Sequence, residues 1–252
     1  MALDEKNKTY IYNLLKNVEF PEDFGVDNCN DYLDCDYDIL KTVQNEDNTV
    51  RSHYGASKYV LLSDNLSYVI KIPFNGYWEA LEDFYEEDED EEESLNKDED
   101  EDYSFIPFEG ACQDSYATDL YFRDNYCETE KRIFIAMKED GLEQFFARTE
   151  YFDIINGKPI YIQEKVSPYL NSELGKSSHL AEKLSASLHH YLPADWIEKA
   201  IQFYGRQLTM NFIEFLNRDE DGRIIRDDLH TENYGYRKDG SPCILDYSGY
   251  FS

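Results

Sequence analysis

The chain opens on a polar stretch in which Ile11, Leu14, Leu15 and Val18 recur at helical spacing, so a short helix is predicted over Tyr10–Val18. Residues 29–40 are rich in Asp and Tyr and follow neither period. Two apolar runs come next, Tyr59-Val-Leu-Leu and Tyr68-Val-Ile-Lys-Ile-Pro, separated by the turn-forming Ser63-Asp-Asn-Leu. Residues 51–74 read as β, and the two runs together predict a hairpin. The chain between 113 and 148 reads as helical, with segments at Ser115–Asp124, Glu128–Lys138 and, after Gly141, Leu142–Arg148. A second hairpin follows. Tyr151–Ile155 and Ile160–Val166 flank Asn156-Gly157, a pair that favours a type I′ turn. Ser178–His190 is helical again. Asp195–Asn217 carries the strongest amphipathic pattern, with Ile197, Ile201, Tyr204, Leu208, Phe212, Phe215 and Leu216 on one side and Asp195 as N-cap. Short strands close the pattern near Arg223–Ile225, Tyr234–Tyr236 and Pro242–Leu245, with Asp239-Gly240 turning between the last two.

Composition sharpens this α+β outline. The 252 residues are 41% hydrophobic, with 22 Tyr and 15 Phe, enough to bury a core. The formal charge is −30, from 24 basic and 54 acidic residues, a field that repels nucleic acid and anionic membrane surfaces and suits a basic partner. Residues 82–102 concentrate that charge: 15 acids and one Lys. Like charges so dense oppose packing, so this tract reads as a disordered or loosely helical insertion, either solubilising or a docking segment for a basic protein. The five cysteines, Cys29, Cys35, Cys112, Cys127 and Cys243, form no C-x-x-C pair, and no stretch reaches the roughly 18 apolar residues of a membrane span. The expectation is a cytoplasmic protein with free thiols. The five histidines show no zinc-ligand spacing.

Two late patterns carry chemistry. Asp228-Leu-His-Thr-Glu-Asn233 places an acid and an amide five residues apart, and Ile244-Leu-Asp246-Tyr-Ser-Gly249 puts an acid at the end of a short strand. Read alone, these acids also suit turns. In this order, after a long helix and with a hairpin between them, they resemble the catalytic loop (D-x-x-x-x-N) and a relaxed Asp-Phe-Gly triplet of the protein kinase superfamily. Leu229-His230 is closer to aminoglycoside and other small-molecule kinases. The resemblance covers about 51–252. It implies a two-lobed protein-kinase-like α+β fold: an extension over 1–50, a β-rich N-lobe over 51–166 with 82–102 inserted, and a reduced, mainly helical C-lobe over 167–252.

It also implies ATP and Mg²⁺. Asp246 and Asn233 would hold the metal, and Asp228 would orient or deprotonate the acceptor hydroxyl. Lys71, in Tyr68-Val-Ile-Lys71-Ile, matches the phosphate-binding lysine of V-A-I-K; otherwise it is an edge-strand lysine. Glu130 is the implied ion-pair partner of that lysine, with Glu128 as runner-up and a solvated helix glutamate as the plain alternative. Gly55 and Ser57 stand where the glycine-rich loop contacts phosphate, and Val60 where a side chain covers adenine, although Gly55 alone reads equally as a hairpin turn. Backbone groups near Glu164 and Val166 would bond adenine, in a run that any buried strand could share.

The chain departs from the family in three places. One glycine stands where the loop has three, Arg226-Asp227 replaces His-Arg, and Ser252 follows Asp246 so closely that no activation segment or Ala-Pro-Glu region is expected. The expected function is phosphoryl transfer from ATP to a hydroxyl. The alternatives are a catalytically weak pseudokinase or acidic module binding a basic protein, and an unrelated interaction or immunity-type protein.

Overall fold

The computed structural model describes residues 3–21, 24, 31–54, 58–74, 125–169, 177–218, 229–231 and 233–247. The chain is a mixed α+β protein with a five-stranded antiparallel sheet, a three-stranded sheet and six α-helices among these residues. It divides into two compact units, Met1–Tyr126 with Phe152–Tyr161, and Cys127–Tyr151 with Ile162–Ser252. None of the described helices is long and apolar enough to cross a membrane.

In the first unit, helix α1 (Glu5–Leu15) begins where the Asp4 carboxylate accepts the Asn7 N–H, satisfying one of the orphan amides of the first turn. It buries Ile11, Leu14 and Leu15, the residues of the sequence pattern. Helix α2 (Asp31–Glu46) occupies the stretch without a periodic signal, buries Ile39 and Val43, and packs against α1. Three antiparallel strands follow: β1 (Arg51–Tyr54), β2 (Lys58–Leu62) and β3 (Tyr68–Pro73). The predicted hairpin is β2–β3. Strand β1 falls within the stretch read as β although Arg-Ser-His-Tyr lacks apolar alternation; as an edge strand it has only one neighbour to satisfy.

Strands β4 (Thr149–Ile155) and β5 (Lys158–Glu164) complete the sheet in the order β1-β2-β3-β5-β4, and each passes from one unit into the other. Their turn has positive φ at both Asn156 (51°) and Gly157 (81°), as a type I′ turn requires. The Asn156 amide also donates to the carbonyls of Leu15, at 3.0 Å, and Val18, at 2.6 Å, so it caps the end of α1.

The second unit holds α3 (Tyr126–Glu139), α4 (His179–Ser187), α5 (Ala194–Tyr204), α6 (Arg206–Arg218) and a sheet of β6 (Ser167–Pro168), β7 (Tyr234–Tyr236) and β8 (Pro242–Ile244). Its core is aromatic. Phe145 stacks on Phe212 at 4.1 Å between centroids, Phe146 meets Phe212 edge-on at 5.8 Å, and Trp196 is fully buried beside them.

Two predicted elements differ. The single helix over Asp195–Asn217 is two helices, because Gly205 adopts φ 86° and its N–H closes the first on Ile201 O. That helix starts at Ala194 after Pro193, so Asp195 is not the N-cap; its carboxylate accepts the Tyr169 hydroxyl at 2.5 Å instead. Leu142–Arg148 is not helical. Only Glu143–Phe145 makes a 3-10 turn, after which Phe146 is extended and the Ala147 N–H donates to Ile244 O. The segments expected at 82–102, 115–124 and 223–225 lie outside the described residues.

Candidate functional site

The β7–β8 hairpin brings together two residues of the late motifs. Tyr234 pairs with Ile244, Gly235 with Cys243 and Tyr236 with Pro242. At the open end the Asn233 carbonyl accepts the N–H of Leu245 at 2.8 Å and that of Asp246 at 3.3 Å, while the Asn233 N–H donates to His230 O at 2.9 Å. Asn233 is thereby fixed beside Asp246, the first buried and the second half-buried. Leu229 is buried, and His230 and Thr231 are exposed. Asp228, Gly55 and Ser57 lie outside the described residues.

The residue after Asp246 is anchored. The Tyr247 hydroxyl donates to Ala147 O at 2.8 Å, and its ring meets Phe146 edge-on at 5.1 Å. Next to it lies a buried polar network. The Gln163 amide nitrogen donates to Leu245 O at 2.8 Å and Thr149 Oγ1 at 2.9 Å, and reaches Glu130 Oε2 at 3.3 Å. Thr149 donates to the same Glu130 oxygen at 3.1 Å. A carbonyl and a carboxylate both face this end of the Gln163 amide, so it must be the nitrogen. Glu130 is fully buried on α3, and Gln163 ties its carboxylate to the chain leading into Asp246. Glu128, the alternative acid, pairs on its own helix with Lys131 at 2.7 Å and Arg132 at 3.4 Å.

At the closed end of the hairpin, Arg237 spreads its guanidinium over four residues on three chain segments. Nε donates to both carboxylate oxygens of Glu164 at 2.9 Å. Nη1 donates to Gln144 O and to the Tyr204 hydroxyl, each at 2.9 Å, and Nη2 to Phe146 O at 2.8 Å. The planar fork suits this divergent set, which an ammonium would not reproduce. The Glu164 N–H is taken by Arg148 O at 3.0 Å, so that donor is already engaged. Val166, the other residue of that pair, is half-buried. Strand β6 crosses β7 so closely that a Cβ on Gly235 would lie 2.0 Å from Ser167 O, which demands glycine there. Burial pushes the Cys243 thiol on β8 up to about 12, which removes it as a nucleophile at neutral pH.

In the first unit, Lys71 sits in mid-strand on β3, buried, and its cross-strand partner on β2 is the half-buried Val60. Directly opposed residues of an antiparallel pair share a face, so the lysine and the apolar residue assigned to nucleotide contact stand together. Among the described residues no three His, Cys, Asp or Glu side chains cluster as a metal cage. The Asn233 amide and Asp246 carboxylate are hard oxygen donors, and a set this small fits Mg²⁺, which keeps most of its coordination for water and phosphate oxygens.

No family model, no curated protein and no solved structure matches the chain. Gln163, Thr149 and Arg237 were missed from sequence. A lone amide inside the apolar run Ile160-Tyr-Ile-Gln163 was a usable signal for the first. Arg237, beside the exposed turn residue Lys238, offered none.

Proposed function

We propose that this protein binds Mg-ATP in a two-lobed, kinase-like arrangement and transfers the terminal phosphoryl group to a hydroxyl acceptor. The observation that carries the reading is the Asn233 carbonyl receiving the Leu245 and Asp246 amides, which fixes the two metal-ligand candidates as neighbours. Further support comes from the fully buried Glu130 carboxylate bonded to Thr149 and Gln163, and from Lys71 and Val60 facing one another on β3 and β2. Bound Mg²⁺ would neutralise charge on the phosphates. Asp246 and Asn233 would hold it, and Asp228 would orient the acceptor hydroxyl and take its proton. Lys71 and Glu130 keep the roles the resemblance implies.

The acidic tract at 82–102 favours a second reading, a catalytically weak module that binds a basic protein. Turnover separates the two. The full chain incubated with Mg²⁺ and γ-labelled ATP is expected to release label to water or to an added hydroxyl acceptor, and Asp246→Ala to fall to background. Label transferred equally by both proteins contradicts the metal role of Asp246, and no label from either favours the binding module.

A further inference from the structure

The closed end of the metal hairpin is fastened to the strand that would carry the adenine contacts. Strands of three residues do not hold their own geometry. Asn233 and Asp246, joined by their own backbone bonds at the open end, therefore depend also on what fixes the other end. Arg237 follows β7 directly, with Asn233 just before that strand. Its Nε grips both Glu164 oxygens at the terminus of β5, two residues before Val166. Its Nη groups hold Gln144 O, Phe146 O and Tyr204, and the Tyr204 hydroxyl donates in turn to Pro242 O on β8 at 2.6 Å. One side chain thus joins the end of β5 to both strands of the hairpin.

On the reading given under Proposed function, we infer that Arg237 is a positioning residue that couples the adenine segment at 164–166 to the metal pair Asn233 and Asp246, so that occupancy of one tightens the other. A base bound at the end of β5 fixes Glu164. Glu164 fixes the guanidinium, and the guanidinium fixes the register of the hairpin that presents the two ligands. Binding of each ligand must then favour the other by the same factor.

Adenosine, which has no phosphate to touch a metal, and Mn²⁺, which is read directly by its paramagnetism, test this in the full chain. In the wild type, saturating adenosine is expected to tighten Mn²⁺ about tenfold, a mid-range coupling. In Arg237→Lys both probes still bind and the factor falls to near one. Tyr204→Phe keeps the ring and removes one partner of the guanidinium, so it gives an intermediate factor and serves if the first variant does not fold. Asp47→Asn, in the other unit, lowers stability and leaves the factor unchanged. Coupling that is absent in the wild type, or that survives in the folded Arg237→Lys and Tyr204→Phe proteins, overturns the inference alone. A wild type that binds neither probe overturns the nucleotide reading beneath it.

Discussion

Asp47 and Arg237 are both charged hubs at turns, and they hold their surroundings in opposite ways. Asp47 gathers donors from nearby chain. One oxygen takes Tyr10, Ser63 at 2.8 Å and Asn65 at 3.0 Å, and the other takes the Thr49 N–H at 2.9 Å and hydroxyl at 2.8 Å. The farthest of these partners is 37 residues away, and all are neutral. Arg237 instead holds an acid 73 residues away and a carbonyl 93 residues away. The first hub is a local fastener for the turns on either side of β1 and β2. The second spans distant segments, which is why it can relay between a strand end and a hairpin. A charged group that bridges distant elements is a candidate for coupling, whereas one saturated by its neighbours is a candidate for stability alone.

The largest expected effect comes from removing the long-range hub. Arg237→Met leaves Glu164 without its counterion and three acceptors without a donor, which should cost about 3 kcal/mol. The urea unfolding midpoint measures it, and an unchanged midpoint would mean that the guanidinium holds nothing in place.

Asp47→Asn is expected to cost less, about 2 kcal/mol, because the amide keeps one acceptor oxygen. Burial works against the Asp47 charge, but the bonds from Tyr10, Thr49, Asn65 and Ser63 outweigh it and hold its pKa well below the ordinary carboxylate value. The unfolded chain therefore takes up this proton first as pH falls. The stabilisation is complete above about pH 4 and is lost progressively below it. Unfolding curves at pH 7 and pH 3 should show the gap between wild type and Asp47→Asn narrowing in acid. A gap that widens in acid would contradict the assigned bonds. The partner hydroxyl of Tyr10 is pushed up to about 12, by burial first and then by the Asp47 carboxylate, so it remains a donor throughout.

The smallest effect belongs to Asn156. Asn156→Gly keeps the left-handed turn conformation and removes only the side-chain cap on α1, so about 1 kcal/mol is expected. A melting temperature equal to that of the wild type would show that the cap adds nothing to the turn.

What could be read in the sequence follows the same division by range. Asn156-Gly157 announced its turn because positive φ is a local demand. The Asn233–Asp246 neighbourhood was legible because Asp239-Gly240 and the short apolar strands specify a hairpin that must bring its two ends together. Gly205 was hidden inside an unbroken amphipathic pattern. Both helices keep their apolar faces inward, burying Ile197 and Ala200 on one and Phe212 and Leu216 on the other, so periodicity alone could not report the break. Helix α2 was hidden by the Asp and Tyr that crowd its first turns. The Glu130–Gln163–Thr149 network and the Arg237 hub join residues whose separation no local pattern encodes.

Isothermal titration of the full chain with ATP in the presence of Mg²⁺, and again with the metal chelated, bears most directly on the assignment of Asn233 and Asp246. The account predicts saturable, metal-dependent binding in the wild type and loss of the metal dependence in Asp246→Ala. Wild-type protein that takes up no nucleotide, or an Asp246→Ala variant whose binding still depends on Mg²⁺ as the wild type's does, would contradict it.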